Sequence, residues 1–591
     1  MKPFYLLLLL CVILSSCEDA VTRDEQDFRI TFEISKGEQT STYKEVIDFY
    51  LQLAKEFPEI NVQTLGDTDS GYPLHLVTYN PDGNFNFKKI REEKSILLIN
   101  NGIHPGEPDG IDATMLLYRD LAQNKLSAPK NLVITTIPVY NIGGMLNRNN
   151  TTRVNQNGPK SYGFRGNALN YDLNRDFIKM DTKNAETFST IFHLVKPDIF
   201  IDNHVSNGAD YQYTLTHLFT QHNKLGGKLG QYLSQKLMPS LEKGLRESQH
   251  IITPYVNVFN RPPDGGFSQF MDHPRYSTGY TTLWNCLGMM VETHMLKSYK
   301  PRVEATYALM REMVKITDTD HKNIKSLRSK TTDSLLSSEK FLLNWTLDTT
   351  KTTTLKFKGF KADTITSEIT GQPRLKYDRG HPFEKEIQYQ NQYYPKDTIE
   401  IPEAYIIKKG WRQVVDRLLT NEIQFFEFEK DTTLTVQVYK ISSFETYKRP
   451  YEGHYPHYNT NVSSSEMQVS FQKGDYLIPT RQNGMRYLLE TLEPEAVDSF
   501  FNWNFFDSVL QQKEGFSPYV FEDLALTILT ENPALRDSLE LKKQEDEIFS
   551  QNWYAQLEWI HKNSKYYEVA HLQYPVYRVL KNSDTALLLK N

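Results

Sequence analysis

A histidine and a glutamate follow a short apolar run near residue 100. Residues 95–99 have the composition of a buried strand, and they lead into a loop rich in Pro and Gly that carries His104 and Glu107. Sites in open α/β sheets form outside the carboxyl ends of strands, so both side chains are suitably placed for chemistry. An imidazole nitrogen and a carboxylate oxygen suit Zn²⁺. The His-x-x-Glu pair alone is a weak signal, because an ordinary solvated turn has the same pattern.

Two further strand ends carry the residues that would complete a metal site. The apolar run 198–201 leads to His204, and the run 287–291 leads to Glu292. His104, Glu107 and His204 would hold one Zn²⁺ per chain and leave the fourth position open for water. Glu292 beside that water would act as the general base. Three strand ends with suitable residue types favour this site over three unrelated polar turns.

The elements expected to position these residues alternate between apolar strands and amphipathic helices. A helix is expected over 42–57, with Thr42 and Glu45 as a capping box, and others over about 110–123 and from Pro301 onward. The remaining expected elements are a hairpin at 65–73 and buried strands at 95–99, 132–139, 198–201 and 287–291. This alternation predicts an α/β fold, with a mixed, mostly parallel sheet and helices on both faces.

The second half of the chain has a different composition. Residues 326–340 are rich in Ser, Thr, Lys and Asp and are interpreted as a joint between two units. Short alternating segments predict a β-rich accessory module over 340–490, and helical spacing returns in a C-terminal region over 491–591. The catalytic domain is assigned to 40–325. His454 and His457 lie in an aromatic loop and are interpreted as peptide or glycan contacts, or as packing, rather than as a second metal site.

The N-terminus predicts export. Residues 1–17 have a positive start at Lys2 and an apolar run that ends in Ser-Ser-Cys17. This run resembles a bacterial lipoprotein signal peptide, in which Cys17 is acylated after cleavage, although an ordinary signal peptide remains the alternative. Residues 18–39 would form a polar tether, and the lipid would anchor the protein to a membrane of the cell envelope. The periplasmic and surface-exposed locations both stay open.

Composition excludes several other classes. The chain has 591 residues, with 39% hydrophobic and 24% charged residues, which places it among globular proteins. Its 67 Lys and Arg against 73 Asp and Glu give a net charge of −6, which argues against nucleic acid as a partner. Only 3 cysteines are present, so neither a disulfide scaffold nor a cysteine-ligated zinc site is expected. Oligomeric state is not predictable from these features.

The motifs together resemble the zinc carboxypeptidase family typified by carboxypeptidase A, over about residues 40–320. His104-Pro-Gly-Glu107 resembles the first ligand motif of the family, His204 its second histidine ligand, and Glu292 its catalytic glutamate. Residues 171–177, Tyr-Asp-Leu-Asn-Arg-Asp-Phe, resemble its Asp-x-Asn-Arg segment. The resemblance implies that Asn174 and Arg175 bind the carboxylate at the end of a substrate peptide. It also implies that Asp172 accepts a hydrogen bond from His104.

The resemblance leaves two roles open. Arg153 is similar to the family arginine that stabilises the oxyanion, with Arg148 as its rival. Tyr276 and Tyr280 are both candidates for the tyrosine that closes over substrate. The segment 139–144, Val-Tyr-Asn-Ile-Gly-Gly, departs from the family's usual Asn-Pro-Asp-Gly, which puts the shape of the pocket in doubt.

The leading hypothesis is a zinc metallocarboxypeptidase that hydrolyses the C-terminal peptide bond of peptides by glutamate-assisted attack of a zinc-bound water. A guanidinium clamp for a carboxylate would restrict the enzyme to chain ends, since internal peptide bonds offer no free carboxylate. Two alternatives remain. The same fold could hydrolyse a cell-wall peptide containing diaminopimelate, or an N-acyl amino acid. The chain could also be a membrane-anchored peptide-binding protein without catalytic activity.

Overall fold

A computed structural model describes residues 28–581. Cys17 and the predicted signal peptide lie outside the described residues. From residue 28 onward, the first half contains nine strands: β1 (Ile60–Asp67), β2 (Pro73–Tyr79), β3 (Ser95–Asn100), β4 (Leu132–Ile137), β5 (Ile199–Ser206), β6 (Leu215–Phe219), β7 (Ile252–Pro254), β8 (Phe267–Ser268) and β9 (Leu287–His294). All except β8 form one eight-stranded sheet in the order β1-β2-β4-β3-β5-β9-β6-β7.

The centre of this sheet is parallel, and its edges are mixed. β4, β3, β5 and β9 run parallel to one another, whereas β1, β2 and β6 pair antiparallel with their neighbours towards the centre. Every residue of β3, β4 and β5 is buried, as expected for strands covered on both faces. The predicted fold class, a mixed α/β sheet with helices, is confirmed, and so are the hairpin and the four predicted strands.

Helices cover the sheet. They are α1 (Thr31–Ile34), α2 (Tyr43–Glu56), α3 (Phe87–Glu93), α4 (Asp109–Ala122), α5 (Ile142–Leu146), α6 (Lys183–Val195), α7 (His222–Leu225), α8 (Gly227–Tyr232), α9 (Met238–Glu247), α10 (Ser277–Thr282) and α11 (Tyr299–Leu336). The predicted capping box of α2 is present, because Thr42 Oγ1 accepts from Glu45 N and Glu45 Oε2 accepts from Thr42 N. Among residues 28–581, no helix combines the length and apolar character needed to cross a bilayer.

Most of the predicted joint at 326–340 is the end of a helix. α11 runs for 38 residues to Leu336, and β10 begins at Lys340. The hydroxyl groups of Thr331 and Thr332 donate to the carbonyls of the residues four positions earlier, so a polar composition is compatible with the helix here. Arg328 donates to the carbonyl of Asn285 and pairs with Asp198, which ties this last part of α11 to the body of the protein.

The second half, as far as residue 581, is built from three further sheets and six α-helices. Its strands are β10 (Lys340–Leu347), β11 (Thr353–Thr366), β12 (Pro373–Gln390), β13 (Tyr393–Glu400), β14 (Ala404–Ile407), β15 (Phe426–Glu427), β16 (Thr432–Thr446), β17 (His457–Phe471), β18 (Tyr476–Pro479) and β19 (Val576–Val579). Its helices are α12 (Arg412–Thr420), α13 (Met485–Leu492), α14 (Pro518–Glu531), α15 (Pro533–Glu545), α16 (Glu547–Ser550) and α17 (Trp553–Lys562). β19 is a strand inside the region predicted as helical.

The two halves share strands and a core. β8 of the first half pairs in parallel with β12, and β19 lies between β14 and β16 in the six-stranded sheet. The largest hydrophobic cluster contains residues of both halves, and within it the ring of Trp284 stacks on Tyr487 with centroids 5.7 Å apart. The second half therefore packs directly against the central sheet.

Candidate metal centre

The carboxyl ends of β3, β5 and β9 bring the predicted ligands together. His204 on β5 and Glu292 on β9 are register partners on adjacent parallel strands. His104 and Glu107 lie on the loop that follows β3, the neighbour of β5 on its other side. His204 lies within the strand rather than after it, because β5 extends to Ser206. The strand-end argument therefore places all four side chains correctly.

His104, Glu107 and His204 form the metal-binding geometry. One ligand atom from each lies within 4.8 Å of the other two, and all three side chains are buried. Nδ1 of His204 lies 3.1 Å from Glu107 Oε2, and Nδ1 of His104 lies 3.4 Å from Glu107 Oε1. His104 Nδ1 is buried without a hydrogen-bond partner among the described residues, so it is available to a metal ion.

In each histidine, the other ring nitrogen donates a hydrogen bond to a carboxylate. His104 Nε2 donates to Asp172 Oδ1 over 2.9 Å, the contact that the resemblance implies. Burial alone would raise the pKa of Asp172, but His104, Arg165 and Arg175 lower it well below its usual value. A charged Asp172 fixes the ring so that Nδ1 faces Glu107.

The carboxylate partner of His204 is Asp202, which the sequence analysis missed. His204 Nε2 donates to Asp202 Oδ2 over 2.9 Å, and Ser277 Oγ donates to the same oxygen over 2.5 Å. Asn100 Nδ2 donates to the other oxygen over 3.1 Å. Asp202 and His204 are two residues apart on a strand and share a face, which is the signal that could have identified the pair.

The arginine predicted to stabilise the oxyanion is not among the residues that line the cavity. Arg153 Nη2 instead pairs with Glu107 Oε1 at 2.6 Å. Its rival Arg148 donates to the backbone carbonyls of Thr40, Ser41 and Ser161, away from the ligands. Burial alone would raise the pKa of Glu107, but Arg153 and His104 lower it well below its usual value.

Arg165 lines the cavity, as does Arg175. Its Nε donates to Asp172 Oδ2 over 2.9 Å, and its Nη1 lies 3.6 Å from Glu107 Oε1. The backbone carbonyl of Arg165 accepts a hydrogen bond from Asn141 Nδ2, which also donates to the carbonyl of Ile103. The segment 139–144, which departs from the family pattern, therefore braces the loops that carry Arg165 and His104.

Glu292 lies beside the ligands in a cavity of about 420 Å³. Burial raises the pKa of Glu292 to about 8, with a further increase from the nearby Glu107 carboxylate and a decrease from His204. The cavity is lined by His104, Glu107, Arg165, Asn174, Arg175, His204, Val205, Asn207, Leu218, Tyr255, Asn257, Phe259, Phe270, Tyr276, Met290 and Glu292. The metal ligands, the glutamate and the predicted carboxylate-binding pair thus share one cavity.

Asn174 and Arg175 stand on a short helical turn after Asp172. The guanidinium carbon of Arg175 lies 4.5 Å from the centroid of the Tyr276 ring. Asn174 Oδ1 accepts a hydrogen bond from Ser277 N over 3.1 Å. Both contacts hold the two side chains against the start of α10, which fixes their position in the cavity wall.

Only one of the two predicted tyrosines reaches the cavity. Tyr276 lines it, whereas Tyr280 is fully buried elsewhere, with its hydroxyl group donating to Asn421 Oδ1 over 2.7 Å. Of the two candidates, Tyr276 is therefore the one placed to contact substrate. Tyr255 also lines the cavity and was not predicted. Burial and the adjacent Glu292 raise the pKa of the Tyr255 hydroxyl group, which keeps it a hydrogen-bond donor.

Comparison with known proteins supports the family. Residues 46–197 match the profile of the zinc carboxypeptidase family, a stretch that contains His104, Glu107 and the 171–177 segment. Carboxypeptidase 2 of Trichophyton rubrum is 21% identical over 433 residues, which cover 68% of this chain and 72% of that protein. Carboxypeptidase 2 of Trichophyton equinum is also 21% identical, over 444 residues, 70% of this chain and 74% of that protein.

Solved structures of metallocarboxypeptidases align with part of the chain. The metallo-carboxypeptidase of Burkholderia cenocepacia aligns with a TM-score of 0.35 and 15% identity, over 47% of this chain and 70% of that one. Carboxypeptidase A of Helicoverpa armigera aligns with a TM-score of 0.35 and 13% identity, over 47% and 73%. The profile match by itself places a zinc carboxypeptidase family segment at residues 46–197, in agreement with the family predicted from the motifs.

Proposed function

We propose that this protein is a zinc-dependent metallocarboxypeptidase that releases the C-terminal residue of peptides. The observation that carries the proposal is the convergence of His104, Glu107, His204 and Glu292 with Arg175 in one cavity. Ligands for a metal, a general base and a cation for a substrate carboxylate are the parts that terminal peptide hydrolysis requires.

The buried donor set fits zinc. Two imidazole nitrogens and one carboxylate, with a cavity on the open side, are a common ligand set of catalytic zinc sites. The unpartnered, buried Nδ1 of His104 is a further reason to expect a cation there, because such an atom is costly to leave without a partner. A zinc ion held by His104, Glu107 and His204 would act as a Lewis acid on the scissile carbonyl and lower the pKa of bound water.

Arg175 and Asn174 bind the end of the substrate. The planar guanidinium can donate two parallel hydrogen bonds to a terminal carboxylate, and Tyr276 stacked on it restricts its orientation. An internal peptide bond has no carboxylate for this clamp. The enzyme would therefore remove single residues from chain ends.

Glu292 transfers a proton from the attacking water to the leaving amine. Its carboxylate accepts a proton from the attacking water and then donates it to the nitrogen of the leaving amine. The pKa of about 8 supports such a two-way role near neutral pH, and the positive charge of a bound cation would lower it. Arg165 takes the place proposed for Arg153 in stabilising the negative charge that develops on the carbonyl oxygen, because its guanidinium faces the cavity.

The experiment compares four substrates with the zinc-loaded protein: a peptide with a free C-terminus, its C-terminal amide, a diaminopimelate-containing peptide and an N-acyl amino acid. We expect release of the last residue from the free-acid peptide only, lost with a chelator and restored by Zn²⁺. Preferential hydrolysis of the diaminopimelate peptide or the N-acyl amino acid would instead support the corresponding alternative substrate. Zinc binding without hydrolysis of any substrate would indicate a peptide-binding protein.

We also propose that the protein is an exported lipoprotein anchored in the cell envelope through Cys17. The support is the sequence of residues 1–17 alone. Metabolic labelling with a radioactive fatty acid should label the wild-type chain and leave Cys17→Ser unlabelled. Equal labelling of both chains would contradict the proposed lipidation site.

A further inference from the structure

The loop between β16 and β17, residues 447–456, reaches the segment that carries the carboxylate clamp. We call it the tip loop. The backbone N–H of Asp172 donates to Glu452 Oε2 over 2.8 Å, although the two residues are 280 positions apart in the chain. Gly453 lies against Tyr171, because a Cβ atom there would stand 2.7 Å from the tyrosine hydroxyl oxygen. The tip loop thus contacts the residues immediately before Asn174 and Arg175.

The backbone of the tip loop is held in an uncommon conformation at this contact. Glu452 has a φ of 50°, in the left-handed region that residues with side chains rarely adopt, and Gly453 follows with a φ of 81°. Burial raises the pKa of Glu452, whereas Arg175 and Lys179 nearby favour its charged form. The surrounding structure therefore keeps Glu452 in one orientation, aimed at Asp172 N.

Two more contacts from the second half flank this one. His454 Nε2 donates to Asp181 Oδ2 over 2.7 Å, on the far side of the clamp segment. Asp498 accepts hydrogen bonds of 2.8 Å from both the backbone N–H and the Nε of Arg275, the residue before Tyr276. The second half thus holds both the clamp segment and the stretch whose ring stacks on Arg175.

We propose that Glu452 is a positioning residue for recognition of the peptide's C-terminal carboxylate. It acts through Asp172, whose N–H it accepts and whose side chain holds His104 and Arg165. Asn174 and Arg175 follow Asp172 by two and three residues, so a displaced Asp172 backbone would displace the clamp. This inference rests on the proposed function, and it gives the C-terminal half a part in substrate recognition.

The test measures binding of a peptide and of its C-terminal amide to zinc-loaded protein in a Glu292→Gln background, in which we expect turnover to be slow on the timescale of the binding measurement. Glu452→Ala removes the acceptor, and we expect about tenfold weaker binding of the free acid with unchanged binding of the amide. Glu452→Gln keeps an acceptor oxygen and should restore affinity to within about threefold. Glu445→Ala is the matched control, because Glu445 lies on the same hairpin and its carboxylate accepts hydrogen bonds from Tyr458 and Asn459, which belong to that hairpin.

Unchanged affinity of Glu452→Ala for the free acid would overturn the inference, and so would an equal loss for acid and amide. If Glu452→Ala does not fold, Glu452→Asp, whose carboxylate is one methylene shorter, serves the same comparison. Failure of the proposed function gives a different result. In that case the Glu292→Gln protein that retains Glu452 would bind the free-acid peptide no more tightly than its C-terminal amide.

Discussion

The carboxyl edge of the central sheet and the tip loop of the C-terminal half contribute to the same cavity by different means. At the sheet edge, the side chains stand on buried strands or on the loops that follow them, and neighbouring strands set their spacing. The tip loop instead reaches residues 280 and 273 positions away, through the hydrogen bonds between Asp172 N and Glu452 and between His454 and Asp181. The difference separates residues that perform chemistry from residues that hold them in place.

In the comparison of these two regions, the largest expected effect is a loss of zinc affinity caused by a substitution at the sheet edge. Asp202→Asn removes the charge that fixes His204, and its amide nitrogen would replace one carboxylate oxygen and so face a donor, either Ser277 Oγ or Asn100 Nδ2. We expect roughly 10–100-fold weaker zinc binding, measured by competition with a chromogenic chelator. Asp210→Asn is the matched control, since Asp210 also pairs with a histidine, His294, that does not line the cavity. Equal zinc affinity of Asp202→Asn and wild type would contradict the role of Asp202 in fixing His204.

A smaller effect is expected where the tip loop meets Asp181. Burial alone would raise the pKa of Asp181, but hydrogen bonds from His454 and Lys179 lower it to about 2. Since the carboxyl pKa in an unfolded chain is about 3.9, the stabilisation is complete above that pH and is lost as pH falls through about 2. It amounts to about 2 kcal/mol.

The measurement is the free energy of unfolding between pH 5 and pH 2 for wild type and Asp181→Asn. Wild type should lose about 2 kcal/mol more than the variant over this range. Parallel curves would show that the contact between Asp181 and the tip loop contributes no charge-dependent stability.

The smallest effect separates the two predicted tyrosines. Tyr280→Phe removes hydrogen bonds to Asn421 and Ser189 and should lower the free energy of unfolding by about 1 kcal/mol, with kcat/KM unchanged. Tyr276→Phe should leave stability unchanged, because its ring still stacks on Arg175. A fall in kcat/KM for Tyr280→Phe at unchanged stability would contradict this prediction and indicate that Tyr280 acts in the site.

The site residues that could be predicted are those with a local pattern in the sequence. His104, Glu107, His204 and Glu292 were identified because each follows an apolar run, and parallel strands end at a common edge. Asp202 was missed because an aspartate inside a strand end looks like any solvated polar residue until its burial is known. The fold of the first half was predictable for the same reason, since its buried strands are continuous apolar runs.

Long-range contacts were not predictable. Both Arg153 and Arg165 precede the clamp segment, and only the path of the loop decides that Arg153 pairs with Glu107 while Arg165 faces the cavity. The contact between Glu452 and Asp172 has no local signal, because it depends on how the long β16–β17 hairpin packs against the first half. The helical conformation of the polar end of α11 was not predicted, because composition does not reveal that Arg328 anchors it.

The most direct test of the central claim is the rate of C-terminal residue release by Glu292→Gln. Glutamine keeps the size of the side chain and removes its ability to accept a proton. The account predicts one zinc ion per chain, as in wild type, and a kcat lower by roughly 10²–10⁴-fold. Release at the wild-type rate by the zinc-loaded variant would contradict it.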